Sequence, residues 1–336
     1  MWTHARPIDE VAAHAGVVPE HVFASTTPLV LRGLVAHWPL AKAARRSSCD
    51  GIDYLRRHAR DAQVVAMVGA PEHRGRFFYN DDLSGFNFHQ EQPKLPAVLD
   101  AMRRHLDDAV PPAIYMGSTT VDTFMPGLRA ENDIDLGARE ALFSIWVGNR
   151  SRIAAHQDVP DNLACVAAGR RRFTLFPPEE LANLYIGPLD FTPAGQAISL
   201  VDFHAPDLQR FPRFALAQEH AQVAELAPGD AIFIPSLWWH HVEALDGFNV
   251  LLNYWWRRTP AHMDTPMNAL MLAIMTVRDL PAEQRDAWQD MFRHYVFEAG
   301  EETCGHIPEH ARRVLAPLTE DTTRQLRAKL LKRLNR

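Results

Sequence analysis

The stretch Pro235-Ser236-Leu237-Trp238-Trp239-His240-His241 closes an apolar run, and His156-Gln157-Asp158 opens another one well before it in the chain. Side chains two residues apart on a β-strand point to the same face, so His156 and Asp158 can both reach one ion. A third histidine from a facing strand would complete a 2-His-1-carboxylate ligand set, which suits Fe(II). The two stretches therefore predict an iron site between facing strands.

Short apolar runs separated by Gly, Pro and Asp turns surround these stretches in the centre of the chain. Runs of this length and spacing are typical of an antiparallel sandwich or barrel. We therefore expect a fold that is mainly β with α. The runs cover residues 113–116, 141–147, 162–168, 172–176, 231–235 and 249–256.

The flanks of this centre have other patterns. Residues 8–16 have the apolar spacing of a short helix, whereas residues 28–34 read as a strand ended by glycine. Beyond the centre the spacing becomes helical. We predict three parts: an N-terminal α/β part packed on the barrel (residues 1–111), a barrel core (112–258) and a C-terminal helical extension (259–336).

The helical extension carries two apolar stripes. Both stripes have to be buried somewhere, either on the barrel or against a second chain. We expect a homodimer through these C-terminal helices. The stripes consist of Leu270, Met271 and Ile274 in one helix and of Leu326, Leu330 and Leu334 in the last one.

Composition restricts the class of protein. The 336 residues are enough for a large core, and the net charge of −6 argues against a general nucleic-acid binder. Cys49, Cys165 and Cys304 are widely spaced and fit neither a disulfide framework nor a CxxC zinc site. No signal peptide or membrane-span pattern is found, so we expect a cytoplasmic protein with no membrane contact.

The phrase Pro228-Gly229-Asp230-Ala231-Ile232-Phe233-Ile234-Pro235, followed by Trp238-Trp239-His240-His241-Val242-Glu243, resembles the second half of the metal site in JmjC/cupin-8 oxygenases. Further phrases fall in the family's order, and the match covers most of residues 25–258. The resemblance implies a double-stranded β-helix (jelly-roll) core and a hydroxylase that uses Fe(II), 2-oxoglutarate and O2. These phrases lie at residues 77–82, 114–115, 148–149, 156–158, 169–178 and 253–255.

By position, the resemblance assigns the iron ligands, which are also the catalytic residues, to His156, Asp158 and His240. His241 is the rival of His240. Neighbouring side chains on a strand point to opposite faces, so only one of the two can face the ion.

The resemblance also assigns residues to the co-substrate. The family holds the distal carboxylate of 2-oxoglutarate with a lysine, and the matching position here is Arg171, which can bind a carboxylate through two parallel hydrogen bonds. Arg170 and Arg172 should face away from it. Tyr115 matches a tyrosine that donates to the same carboxylate, and Ile153 replaces a threonine donor.

Three further residues are candidates for the wall of the metal pocket. Asn162 and Asn253 would line it, or else satisfy local backbone groups. Trp255 would wall it, or else belong to the core, as most tryptophans do.

Two functions remain open. One is a JmjC-type hydroxylase that acts on a protein side chain or on another macromolecular or small-molecule substrate. The other is a metal-binding cupin that binds a small ligand without oxygenase chemistry, because a fold does not dictate a function. The acidic charge favours a protein or peptide substrate over tRNA, and an inward-pointing Arg171 would favour the hydroxylase.

Overall fold

A computed structural model describes residues 5–335 of the chain, and the β-strands of this part all lie before residue 257. The strands are β1 (Arg6–Pro7), β2 (Glu10–Val11), β3 (Leu29–Leu31), β4 (Ala66–Gly69), β5 (Arg76–Phe77), β6 (Phe88–Glu91), β7 (Ala113–Thr120), β8 (Leu142–Gly148), β9 (Ser151–His156), β10 (Asp161–Ala168), β11 (Arg171–Phe176), β12 (Gln222–Leu226), β13 (Ala231–Ile234), β14 (Trp239–Ala244) and β15 (Asn249–Trp256).

Helices lie mostly before and after these core strands. The α-helices are α1 (Glu20–Phe23), α2 (Pro39–Arg46), α3 (Ser48–His58), α4 (Leu95–Arg104), α5 (Val121–Phe124), α6 (Leu128–Glu131), α7 (Phe214–Glu219), α8 (Pro266–Thr276), α9 (Ala282–Phe292), α10 (Glu301–Cys304) and α11 (Glu320–Leu334). A π-helical turn, Arg293–Phe297, follows α9. Short 3-10 turns cover Pro71–His73, Pro178–Ala182, Glu309–Ala311 and Arg313–Leu315.

The strands form two sheets. One has the order β1-β12-β11-β14-β9-β5 and the other the order β2-β3-β13-β10-β15-β8-β7-β4-β6. Apolar side chains from both sheets, such as Ala164 and Ile232 on one and Phe173 and Val242 on the other, form a shared core. Two packed, largely antiparallel sheets with helices around them are the architecture of a jelly-roll, so the predicted fold class is confirmed.

The other face of the nine-stranded sheet is covered by helices. Leu40, Leu55 and Leu99, from α2, α3 and α4, are fully buried in one cluster with Leu163 and Leu252 of the sheet. A sheet whose two faces are both buried has to carry apolar residues at successive positions, which is why β10 and β15 read as continuous apolar runs. The helices thus cover only one face of this sheet, and its other face points toward the six-stranded sheet.

One predicted helix is wrong. Within residues 8–16 the structure has the strand β2, which pairs in parallel with β3 through Glu10↔Val30. This backbone pairing with a distant segment outweighs a weak local helical preference, and the side chain of Arg32 also binds the Glu10 carboxylate at 2.7 Å.

The chain divides into two compact units, Met1–Arg257 and Arg258–Arg336. The first unit contains both sheets, and the second contains α8 to α11. Among the described residues, no helix is long and apolar enough to cross a membrane.

Candidate active site

A cavity of about 280 Å³ lies between the two sheets. The six-stranded sheet contributes side chains from β5, β9, β11 and β14, and the nine-stranded sheet contributes them from β4, β7, β8, β10, β13 and β15. Every residue that the sequence assigned to the site lines this cavity: Tyr115, His156, Asp158, Asn162, Arg171, His240, Asn253 and Trp255.

His156, Asp158 and His240 converge at one point of the cavity wall. His156 of β9 and His240 of β14 are cross-strand partners, and their ring centroids are 4.3 Å apart. His240 Nε2 lies 3.6 Å from Asp158 Oδ2. One ligand atom from each of the three residues lies within 4.8 Å of the other two, which is close enough for all three to reach one ion.

The hydrogen bonds of the two histidines set their tautomers. His156 Nδ1 lies 2.9 Å from the carbonyl oxygen of Ala154, and His240 Nδ1 lies 2.9 Å from that of Trp238. A carbonyl oxygen can only accept, so Nδ1 carries a proton in both rings and Nε2 is the nitrogen left to bind a metal. Burial, together with the nearby His156, lowers the pKa of His240 to about 4. His240 is therefore a neutral imidazole, which is the form that binds metals.

The sequence predicted that Asp158 lies on the same strand as His156, and this prediction is wrong. β9 ends at His156, and Asp158 lies in the loop beyond it, where Pro160 cannot donate to a strand ladder. The amide of Leu237 donates to the Asp158 carbonyl at 2.8 Å. The loop is thus tied to the segment just before β14, and the carboxylate reaches the histidines from there.

His241 lies on the opposite face of β14 from His240. Its ring packs on Phe203 at 4.7 Å between centroids, outside the cavity. Both ring nitrogens are buried without a hydrogen-bond partner within residues 5–335. Burial lowers the pKa of His241 to about 4.

Arg171 reaches the cavity wall as a buried cation. Only 2% of the residue is exposed, its Nε has no hydrogen-bond partner, and no carboxylate in the described part of the chain pairs with it. Burial lowers the pKa of Arg171 to about 10, so it remains charged at neutral pH. By contrast, Arg170 pairs with Asp246 at 2.9 Å and Arg172 with Glu225 at 3.3 Å, on the outer side.

One indole and two amides of the cavity wall form a hydrogen-bonded chain, and two further aromatic rings pack on the indole. Trp146 Nε1 donates to Asn253 Oδ1 at 2.8 Å, and Asn253 Nδ2 donates to Asn162 Oδ1 at 3.2 Å. Trp255 packs edge-on against Trp146 with centroids 5.6 Å apart. Tyr115 also packs on Trp146, with centroids 6.0 Å apart, and burial raises the pKa of its hydroxyl.

Sequence reasoning missed two features. The first is Trp146, which orients Asn253. Trp146 lies in a predicted strand between the core residues Ile145 and Val147, and the alternation of side chains along the strand was the signal that it points to the other face. A second cluster, His204, His241 and Glu243, also has ligand atoms within 4.8 Å of one another. His204 comes from a distant loop, so no local pattern could have found it.

The fold and the cavity define a cupin-type domain, and comparison with known proteins gives its family. The profile of the cupin-like domain family matches residues 15–262, so the chain belongs to that family and the sequence-based assignment is confirmed.

Several relatives are similar over parts of their length. The chain is 31% identical to human HSPB1-associated protein 1 over 43% of the chain and 30% of that protein. It is 26% identical to the lysine-specific demethylase JMJ31 of Arabidopsis thaliana over 71% of the chain and 48% of that protein. It is 38% identical to tRNA wybutosine-synthesizing protein 5 of Danio rerio over 32% of the chain and 29% of that protein. The chain spans less than half the length of each of these relatives.

Proposed function

We propose that this chain is an Fe(II)- and 2-oxoglutarate-dependent hydroxylase of the JmjC type. The observation that carries the proposal is that one cavity is lined both by the His156–Asp158–His240 cluster and by the buried cation Arg171, which has no carboxylate partner among the described residues. A metal-ligating cluster alone would fit many cupins. A cation without a protein carboxylate, in the same cavity, calls for an acidic small molecule.

His156, Asp158 and His240 fit the metal. Two imidazoles with free Nε2 lone pairs and one carboxylate form the facial triad of non-haem Fe(II) sites, which leaves positions open for other ligands. With 2-oxoglutarate bound, the Fe(II) would supply O2 activation and the oxidation of a C–H bond. The hydrogen bonds from Nδ1 to backbone carbonyls hold both rings in place with Nε2 turned to the metal position.

Arg171 would bind the distal carboxylate of 2-oxoglutarate. Its guanidinium is planar and stays charged, so it can donate two parallel hydrogen bonds to a carboxylate. Tyr115 lines the same cavity and its hydroxyl stays protonated, so it can donate to that carboxylate as well. Ile153, also in the wall, has no donor to offer.

The remaining wall residues would position the reactants and exclude water. Phe173, Val242 and Leu251 are apolar and line the cavity, while the Asn253–Asn162 pair supplies polar groups at defined positions. Holding reactants in a dry site in the correct orientation is what a protein adds to chemistry of this kind.

For the substrate we propose a protein or peptide side chain. Relatives of this chain are named as lysine-specific demethylases, and the net charge of −6 gives no basic surface excess for tRNA, although another relative is named for tRNA modification. The alternative, a cupin that binds a small ligand without catalysis, does not require the cation at Arg171.

The test is 2-oxoglutarate turnover, measured as succinate formed in the presence of Fe(II) and O2, with and without a peptide library. Wild-type protein should turn over 2-oxoglutarate, faster with a peptide substrate, and His240→Ala should not. His220→Ala is the control, because His220 is a half-exposed histidine outside the cavity. Bound 2-oxoglutarate without turnover would favour the non-catalytic cupin, and turnover by His240→Ala would refute the assigned site.

A further inference from the structure

A second group of metal-ligating side chains lies on the outer face of β14. His241 and Glu243 are two residues apart on this strand, so they point to the same side, away from the cavity. His204 reaches them from the segment before α7, where its amide donates to Asp202 Oδ1 at 3.0 Å. One ligand atom from each of the three residues lies within 4.8 Å of the others.

His241 is the unusual member of this group. The residue is 6% exposed, and neither ring nitrogen has a hydrogen-bond partner in the described part of the chain. Burying a polar group without a partner destabilises a protein, so most buried polar groups are hydrogen-bonded. A metal ion bound to one of these nitrogens would supply the missing partner.

Glu243 presents one carboxylate oxygen to the group. Its Oε1 lies 2.5 Å from His204 Nε2, while its Oε2 lies 3.4 Å from Arg172. Arg172 therefore anchors the carboxylate through one oxygen and leaves the other for His204 or for an ion. His204 is half-exposed, which gives an ion a route from solvent.

We infer that His204, His241 and Glu243 form a second metal site, for Zn(II). Two imidazoles and a carboxylate are a ligand set that Zn(II) prefers, and they leave one position for water. Hard ions such as Mg²⁺ and Ca²⁺ prefer an all-oxygen shell. The inference does not rest on the proposed oxygenase function, because none of the three residues lines the cavity.

The charges around this group decide whether a cation is tolerated. Arg152 and Arg172 are nearby and would repel it, but each already has a carboxylate partner. Arg152 pairs with Asp202 at 3.4 Å, and Arg172 pairs with Glu225 at 3.3 Å as well as with Glu243. The positive charges of the two arginines are thus balanced by carboxylates, so the imidazoles and Glu243 decide whether a cation binds here.

A filled second site would affect the first one through β14. His240 and His241 are neighbours on this strand and point to opposite faces, so an ion at His241 would tie the strand that carries His240 to the loop of His204. The second ion would then act as a structural clamp behind the cavity wall.

Zn(II) binding by the full-length protein tests the inference. Equilibrium dialysis followed by metal analysis should give two tightly bound Zn(II) per wild-type chain and one per His204→Ala chain. Removal of a direct ligand should weaken the second ion by more than the roughly 10–100-fold that is typical when only a residue orienting a ligand is lost.

His220→Ala is the matched control. His220 is 55% exposed and lies 2.6 Å from the buried Glu180, much as His204 is 49% exposed and pairs with the buried Glu243. Within residues 5–335, however, the His220 pair has no third ligand. His220→Ala should therefore still bind two Zn(II). Equal Zn(II) content in His204→Ala and wild type would overturn the inference.

His240→Ala separates the two sites. It should lose the cavity ion and keep the one at His204, and the double variant His204→Ala/His240→Ala should bind neither. The ion that His204→Ala retains also shows that this variant is folded. A wild-type chain with a single Zn(II) that His240→Ala removes would refute the second site, whereas a single Zn(II) that only His204→Ala removes would support it and count against the cavity site.

Discussion

His240 and His241 differ by one position in the sequence and lie in different surroundings. His240 faces the cavity with its Nδ1 bonded to a backbone carbonyl, whereas His241 faces the outer cluster and neither of its nitrogens has a partner among the described residues. Alternation along β14 is the whole reason. One strand thus presents a histidine to each of two candidate metal sites.

Arg171 is the residue on which the co-substrate proposal depends most. Arg171→Ala should weaken 2-oxoglutarate binding by about 30-fold or more, because a charged hydrogen-bonded pair in a poorly hydrated pocket is worth about 2–5 kcal/mol. The measurement is calorimetric titration of 2-oxoglutarate into metal-loaded protein.

Arg170→Ala is the control for this substitution. It removes the same charge from the neighbouring position, but Arg170 is 53% exposed and binds Asp246 on the outer side. Its 2-oxoglutarate affinity should stay within about 2-fold of wild type, because exposed ion pairs contribute little. Equal 2-oxoglutarate affinities of wild type and Arg171→Ala would show that Arg171 does not bind the co-substrate.

The turn between β10 and β11 sets the start of the strand that carries Arg171. Gly169 adopts φ +65°, and a Cβ at this position would collide with the side chain of Asn249 and the carbonyl oxygen of Phe248. Only glycine fits both the left-handed backbone and the close approach. The turn is therefore expected to tolerate no side chain.

Gly169→Ala should lower the free energy of unfolding by more than Gly33→Ala does. Gly33 has a similar φ of +70° but open space around it, so its substitution carries only the left-handed penalty of about 1–2 kcal/mol. Urea denaturation of both variants measures the difference. Equal losses of stability would show that the contact with Asn249 and Phe248 relaxes without cost.

The second unit, residues 258–336, exposes apolar side chains on two of its helices. In α8, Leu270 and Met271 are 46% and 38% exposed, and in α11, Leu330 and Leu334 are 39% and 51% exposed. Helices with exposed apolar stripes are common at protein interfaces. The dimer expected from the sequence stays a prediction, with these stripes as its contact.

Light scattering of the full-length protein tests this prediction. Wild type should be a dimer at micromolar concentration, and Leu330→Glu should be monomeric, because the new charge would have to be buried in the contact. Gln325→Glu adds the same charge to the same helix away from the stripe and should remain a dimer. A monomeric wild type would contradict the prediction.

The apolar pattern of the chain was enough to predict most of the core. The six predicted central runs overlap β7, β8, β10, β11, β13 and β15, and the phrases that indicated the family lie within residues 15–262, which the family profile matches. The opposite directions of His240 and His241, and of Arg171 and its neighbours, also followed from alternation alone. These features depend only on residues that are close in the chain, so a sequence pattern can record them. The roles of the site residues remain predictions.

Other features depend on contacts between distant segments, and no pattern in the sequence recorded them. The end of β9 at His156, the pairing of β2 with β3 and the approach of His204 to Glu243 are of this kind. Local preferences are weak, and strand pairing and loop packing outweigh them. The surroundings of His241 and Arg171 belong here too. Both side chains are buried, and neither the nitrogens of His241 nor the charge of Arg171 has a partner in the part of the chain that the structure describes, which only the packing of distant segments decides.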